Sequence, residues 1–187
     1  MILAEGLLRR PGFLLGAALL AGGLVAVLAG VYGSVHDPAS ETTVQWFFST
    51  TLHMKAWMTT LAVIFGLAQV VSALWLYGRL PFGKHPAWLG SIHRSLGSLA
   101  LLASIPVAYH CLWALGFEGD IGESRRFWHS VFGCAFYGAF ATKVLVVRSR
   151  SMPSWALPVV GGALFTILVV VWLTSSLWFF DNIGVEF

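Results

Sequence analysis

The sequence predicts an all-α, polytopic membrane bundle with five transmembrane helices, in which residues 1–187 form a single membrane domain. Three observations predict this fold class. Hydrophobic residues make up 58% of the chain and charged residues only 10%, whereas soluble domains carry roughly 25% charged residues. Five apolar stretches reach the length of about 20 residues that a helix needs to cross a bilayer. Together they occupy most of the chain, and in lipid such stretches satisfy their backbone groups as helices.

The first three helices are marked by apolar runs with basic residues near their ends. The first helix is predicted near 13–32, in a run of Leu, Ala, Gly and Val. The second is predicted near 56–78 and begins directly after Lys55. The third is predicted near 95–115 and contains Pro106, which can kink it.

The fourth and fifth helices complete the bundle. The fourth is predicted near 127–147 and follows a short, charged loop. The fifth is predicted near 156–180 and contains no charged residue and no histidine. Gly133 and Gly138 on the fourth helix, like Gly12 and Gly16 on the first, give small faces on which helix backbones can approach each other.

The distribution of charge predicts how the bundle is oriented. Basic residues favour the cytoplasmic side, and a cytoplasmic N-terminus places eight of the eleven there, namely Arg9, Arg10, Arg79, Lys84, Arg94, Lys143, Arg148 and Arg150. Seven acidic residues then lie outside, namely Asp37, Glu41, Glu118, Asp120, Glu123, Asp181 and Glu186. The sequence therefore predicts a multi-pass protein of a bacterial plasma membrane with its C-terminus outside. This membrane pattern excludes nucleic acid as the partner of the net positive charge.

Three histidines are predicted at one depth, near the outer ends of three different helices. They are His53, His110 and His129. Neutral imidazole is a common ligand of metals and of haem iron, and helix bundles build such sites from side chains on facing helices. We therefore expect a bis-histidine haem b near the outer face. The sequence leaves open which two histidines bind the iron and whether the third contacts a propionate or serves a quinone site.

Three basic residues stand on the outer side, where the charge rule disfavours them. They are Lys55, Arg125 and Arg126. Arg125 lies four residues before His129, and therefore one turn away on the same helix face. Such cations are placed to pair with haem propionates. The alternative is that both arginines offset the acidic residues of the loop before them, and the sequence leaves both readings open.

His93 is the fourth candidate ligand, at the inner end of the third helix. It lies 17 residues from His110, which corresponds to about 25 Å along a helix, so one haem cannot use both. The sequence shows no second histidine at the inner ends of the other helices. His93 therefore either belongs to a second, inner haem or faces lipid phosphates together with Arg94.

The sequence contains no motif for other redox cofactors. It has no C-x-x-C-H, so it cannot attach a c-type haem covalently, and it has no P-loop or G-x-G-x-x-G. Electrons must then come from a partner or from a membrane quinol. Cys111 and Cys134 are the only cysteines, and they either pack as small apolar residues or pair across the third and fourth helices.

Two resemblances follow from these residues. The turn His93-Arg94-Ser95-Leu96-Gly97 resembles the HR-x-x-G turn of membrane b-type cytochromes, namely the ferric-reductase-like and ascorbate-reducible types, which implies haem and electron transfer. The stretches PVAYHCLWALGF (106–117), HSVFGCAFYGAFATKVLVVRSR (129–150) and PSWALPVVGGALFTILVVVWLTSSLWFF (153–180) resemble a family of five-span bacterial membrane proteins of unknown function.

The sequence thus predicts a b-type cytochrome that carries electrons, as a subunit of a respiratory or other oxidoreductase complex rather than as a stand-alone enzyme. Its expected partners are membrane lipid, the other subunits, and a c-type cytochrome or a quinone. One haem b is expected, and a second haem and a quinone stay open. The alternatives are a cofactor-free accessory or assembly subunit and a protein that handles haem or metal.

Overall fold

The structure, a computed structural model, describes residues 11–39, 44–149 and 151–185. Within these ranges it consists of five long helices, each long and apolar enough to cross a membrane. We name them α1 (Pro11–Val35), α2 (Thr51–Leu76), α3 (Leu89–Leu115), α4 (Ser124–Arg148) and α5 (Ala156–Asn182). The prediction of an all-helical chain with five membrane-length helices is confirmed for the described residues.

Three helices begin earlier than predicted, because their first turns are polar. The predicted starts near 56, 95 and 127 become Thr51, Leu89 and Ser124. A prediction from apolar stretches leaves a polar first turn out of the helix. A helix can nevertheless begin wherever a cap satisfies its first N–H groups. In α2 this cap is Thr50, whose hydroxyl accepts a hydrogen bond from the backbone N–H of His53 at 3.3 Å. His53 and Lys55 therefore lie on the helix itself rather than on its approach.

The helices α2 to α5 surround one core, and α1 packs on the outside of α4. The most extensive helix contacts join α2 to α3 and α1 to α4, and α5 packs against both α4 and α2. The core side chains come from all four inner helices, namely Ala62, Ala103, Phe136, Leu164 and Leu168. By contrast, α3 and α4 approach each other only weakly, which leaves room between them at one end of the bundle.

The outward surface of every helix is apolar. Large hydrophobic side chains are exposed along the bundle, for example Leu20, Leu67, Leu102, Val147 and Val159. Soluble monomers rarely expose continuous apolar surface of this extent, whereas lipid is the solvent that such a surface requires. The five helices therefore form a multi-pass membrane protein that contacts lipid.

Two glycines allow α1 and α4 to cross closely. A Cβ added at Gly22 would meet the carbonyl oxygen of Gly138, and one added at Gly138 would meet that of Gly22. Thr142 also lies at this crossing, because its hydroxyl is shared between the carbonyl oxygen of Gly138 in its own helix, at 3.0 Å, and that of Ala18 in α1, at 3.3 Å. Of the other glycines in the predicted small faces, Gly133 has no atom within 4 Å of an added Cβ. The crossing therefore depends on Gly22 and Gly138.

The two ends of the bundle differ in charge. We call the end with the N-termini of α2 and α4 the cavity end. The described acidic residues lie there, namely Asp37, Glu118, Asp120, Glu123 and Asp181, whereas the described basic residues of the opposite end are Arg79, Lys84, Arg94, Lys143 and Arg148. Five predicted charges, those of Arg9, Arg10, Glu41, Arg150 and Glu186, lie outside the described residues. Which end faces the cytoplasm stays a prediction.

Candidate functional site

A cavity of about 450 Å³ opens between α2, α3, α4 and α5 at the cavity end. This volume lies within the usual range of ligand pockets, roughly 300–1,000 Å³. Most of the lining is apolar, and the ionisable side chains in it are Lys55, Cys111, Glu118, Arg125, Arg126, His129, Cys134 and Tyr137. Four of the seven residues that the sequence singled out, namely Lys55, Arg125, Arg126 and His129, therefore line one cavity.

A hydrogen bond between α3 and α4 closes the deep end of the cavity. The hydroxyl of Tyr137 donates to the carbonyl oxygen and the side-chain oxygen of Ser104, at 3.0 Å each. Ser104 in turn donates to the carbonyl oxygen of Leu101 at 2.7 Å, so its lone pairs are available to Tyr137. Phe136 and Leu168 complete an apolar floor. The deep part of the cavity therefore suits an apolar group, because its polar atoms are already satisfied.

Two helices change their winding beside the cavity. In α3, residues Cys111–Leu115 form a π turn, and in α5, residues Leu173–Leu177 form another. Such single π turns are rare and occur frequently at functional sites. The first presents Cys111 to the cavity, and the second presents Ser175 to it and places Thr174 beside the side chains of α4.

His129 is held in one orientation by α5. Its Nδ1 lies 3.1 Å from Oγ1 of Thr174. That hydroxyl donates its only hydrogen to the carbonyl oxygens of Val170 and Val171, at 2.8 and 3.1 Å, so it accepts from Nδ1–H. In this arrangement Nδ1 faces Thr174, and Nε2 is the ring nitrogen that remains for the cavity that His129 lines. This is the usual arrangement of a ligating histidine, whose second nitrogen is fixed by a hydrogen bond.

The two adjacent arginines take different roles. Arg125 donates to the backbone carbonyl oxygen of Thr174 at 2.7 Å, and its guanidinium lies 4.0 Å from the ring centroid of Trp178. Arg126 instead pairs with Glu123 at 2.8 Å and with Glu118 at 3.6 Å. Arg126 therefore balances the negative charge of the acidic loop. Arg125 has no ion pair among the described residues, and its guanidinium lies at the mouth of the cavity.

Lys55 and Cys111 line the same cavity as His129. Lys55 also has no ion pair among the described residues, so its ammonium adds to the positive charge that Arg125 brings. Cys111 and Cys134 are both free thiols, and both line the cavity. Both cysteines therefore belong to the same cavity lining as His129.

His53 lies outside the cavity lining. Its Nδ1 is 2.7 Å from Oγ1 of Thr50 and 3.2 Å from Oγ of Ser49. Its ring meets the edge of Phe179, with the ring centroids 4.9 Å apart, and Phe179 is itself part of the cavity lining. His53 therefore contacts a lining residue without being part of the lining itself.

His110 is buried in the packed face of α3. It is 7% exposed, and the other buried residues of this part of α3 include Ala103, Pro106 and Val107. It does not belong to the cavity lining. Of the three histidines predicted at the outer level, the structure therefore brings only His129 into the cavity lining.

His93 belongs to a separate polar network at the opposite end of the bundle. Its Nδ1 lies 2.9 Å from Oγ of Ser72, and its backbone carbonyl oxygen accepts a hydrogen bond from the Gln69 amide at 3.2 Å. Nζ of Lys143 donates to Oε1 of Gln69 at 2.9 Å. An added Cβ at Gly97 would collide with the Gln69 amide, so this glycine of the HR-x-x-G turn makes room for the network.

The donors at the cavity do not form a bare metal site. Within 11–39, 44–149 and 151–185, no three His, Cys, Asp or Glu side chains are grouped so that they could hold a metal ion. Bare metal sites generally need three or four such ligands. A haem is different, because its porphyrin supplies four of the ligands and the protein adds only axial ones.

The fold and the cavity define the class of this protein. It is a five-helix membrane protein with an apolar cavity between its helices, and charged residues line the mouth of that cavity. Residues 15–187 match the model of a family of unknown function, DUF6529, and the chain belongs to that family. This confirms the resemblance to a five-span family of unknown function. No curated protein and no solved structure matches the chain.

Proposed function

We propose that this protein is a membrane b-type cytochrome that binds one haem b in the cavity and carries electrons. The observation that carries the proposal is the orientation of His129. Thr174 holds Nδ1 and leaves Nε2 for a cavity of about 450 Å³. An imidazole fixed in this way is ready to ligate iron, because the tautomer and the ring plane are already set.

The remaining lining supports haem as the occupant. Haem combines a flat, apolar macrocycle with two carboxylates. The deep part of the cavity is apolar around Phe136 and Leu168, and the mouth contains Lys55 and Arg125 without ion pairs among the described residues. Charge-assisted hydrogen bonds from such cations are strong. The residues present therefore fit the group at both ends.

The second axial position distinguishes two forms of the proposal. A bis-histidine centre needs His53 or His110, and neither lines the cavity. For His53 to serve, side chains around it, including Phe179 which its ring contacts, would have to rearrange. In the other form of the proposal, a side chain of the cavity lining would provide the second ligand of the iron.

When bound, the iron supplies a one-electron carrier whose potential depends on its axial ligands and on nearby charge. This chain would contribute the imidazole of His129, the cations at the mouth and the apolar deep part of the cavity. We place the cavity end outside a bacterial plasma membrane and assign the protein to a larger redox complex. A membrane quinol is the expected donor, and a c-type cytochrome is the expected acceptor on the outer side. A second haem at His93 stays a separate hypothesis.

The test is the haem content of protein purified from haem-replete cells. The pyridine haemochrome assay is expected to give about one haem b per chain. A redox titration followed by absorbance is expected to give one single-electron wave. Two waves would indicate a second haem, and His93 would then be a candidate ligand for it. A colourless preparation from such cells would contradict the proposal and favour a cofactor-free accessory subunit.

The two arginines provide a matched pair of variants. Arg125→Gln is expected to lower the midpoint potential by on the order of 50 mV, because a positive charge near the propionates favours the reduced iron. Arg126→Gln is expected to change it little, since Arg126 is 55% exposed and already paired with Glu118 and Glu123. Equal shifts in both variants would contradict the separate roles of the two arginines.

A further inference from the structure

Lys143 is a cation within a membrane-spanning helix whose charge has no ionic partner nearby. Its side chain crosses from α4 to α2, where Nζ donates to the amide oxygen Oε1 of Gln69 at 2.9 Å. It takes part in no ion pair among the described residues. A charge in apolar surroundings is costly unless an opposite charge balances it. The charge of Lys143 is therefore uncompensated within the described part of the chain.

The amide of Gln69 is held in place and accepts only one of the hydrogens of Lys143. Its Nε2 donates to the backbone carbonyl oxygen of His93 at 3.2 Å, which turns Oε1 toward Lys143. Gly97 makes this possible, since an added Cβ there would collide with the amide. Nδ1 of His93 lies 2.9 Å from Oγ of the buried Ser72. Because an ammonium has three hydrogens, two hydrogens of Lys143 remain for a further acceptor.

The end of the bundle that contains this network is positively charged. Its described ionic residues are all basic, whereas the described acidic residues lie at the cavity end. Glu5, which precedes α1 in the sequence, lies outside the described residues. An anion that balances Lys143 therefore has to come from beyond the described part of the chain.

The depth of Lys143 favours a lipid phosphate as this anion. The 25 residues of α4 give a length of about 38 Å, which exceeds the roughly 30 Å of the hydrocarbon core. The terminal turns of α4 then lie among the lipid head groups. Lys143 lies about 7 Å before the end of α4 at Arg148, just below that layer. Basic pockets between membrane helices bind anionic head groups in this way.

We propose that Lys143, oriented by Gln69, binds the phosphate of an anionic lipid at the end of the bundle opposite the cavity. The remaining ammonium hydrogens donate to the phosphate oxygens in charge-assisted hydrogen bonds. The lipid then supplies the negative charge that balances Lys143. This site shares no residue with the cavity lining, so it does not depend on the proposed function.

The direct experiment measures lipid binding to delipidated wild-type protein in a neutral detergent, by native mass spectrometry and thermal unfolding. Phosphatidylglycerol is expected to bind as one retained lipid per chain and to raise Tm saturably. Phosphatidylcholine, whose phosphate is balanced by its own choline, is expected to bind on the order of tenfold more weakly. Equal binding of the two lipids would overturn the proposal. An equal rise in Tm with inorganic phosphate at the same concentration would overturn the assignment to a lipid.

Two lysine variants with the same change in charge supply an independent readout. Lys143→Met is expected to weaken phosphatidylglycerol binding on the order of tenfold. Lys84→Met, which removes an exposed loop cation of the same end, is expected to bind as the wild type does. Equal weakening in both variants would indicate attraction to the whole charged surface and overturn the site.

Glu5→Gln tests whether an acid of the chain balances Lys143 instead. Its lipid affinity is expected to equal that of the wild type. If Glu5 occupied Lys143, its removal would leave the ammonium to the lipid. Binding of phosphatidylglycerol that tightens on the order of tenfold in Glu5→Gln would therefore overturn the proposal.

Discussion

A His129→Ala variant is expected to be produced and inserted normally but to purify with less than about a tenth of the wild-type haem. The reason is that His129 is the histidine that lines the cavity, and its Nδ1 is fixed by Thr174 so that Nε2 is available to iron. Removing it deletes the axial imidazole and also the partner of the Thr174 hydroxyl. Haem content and the absorption spectrum of purified protein measure the effect.

His85→Ala is the matched control, because His85 is an exposed loop histidine at the opposite end of the bundle. Its haem content is expected to equal that of the wild type. Imidazole added to a His129→Gly variant is expected to restore part of the haem, since the free ligand can occupy the space of the lost ring. A His129→Ala protein with full haem and an unchanged spectrum would exclude His129 as the ligand.

A Gly138→Ala substitution is expected to destabilise the bundle by about 1–3 kcal/mol, as overpacking in a close contact generally does. The added methyl group would meet the carbonyl oxygen of Gly22 and the side chain of Ala26. Backbone atoms cannot move aside as a flexible side chain can, so α1 and α4 have to separate. The Thr142 hydrogen bond to Ala18 would then be weakened as well. Thermal unfolding in a mild detergent measures the change.

Gly133→Ala on the same helix is the control for this variant. An added Cβ at Gly133 has no atom within 4 Å, and alanine favours the helix more than glycine does. Its unfolding temperature is therefore expected to stay equal or to rise slightly. Equal destabilisation by both substitutions would contradict the role of the crossing with α1, because helix propensity favours alanine at both positions.

The fold could be predicted further than the site, because hydropathy alone determines where a membrane helix can lie. The five apolar stretches gave the five helices, and only their polar first turns were missed. Lys55, Arg125 and His129 could be found as well. Lys55 and Arg125 are basic residues on the side that the charge rule disfavours, and His129 is one of three histidines at the same end of the bundle.

The remaining site residues could not be found, because they depend on helix rotation and winding. Thr174 lies on a helix without histidine or charge in its predicted span, and nothing in the sequence marks it as the partner of His129 and Arg125. Cys111 faces the cavity through a π turn, which a regular 3.6-residue period does not predict. For His53, the sequence indicated the correct end of the bundle but could not indicate that its ring packs against Phe179 and is not part of the cavity lining.

The measurement that tests the central claim most directly is the position of haem in a high-resolution map of the purified holoprotein. The predicted result is a porphyrin between α2, α3, α4 and α5 at the cavity end, with Nε2 of His129 bound to the iron and Arg125 beside the propionates. Porphyrin density at the opposite end beside His93, or a haem-bearing sample with an empty cavity, would contradict the assignment of His129 and of this cavity.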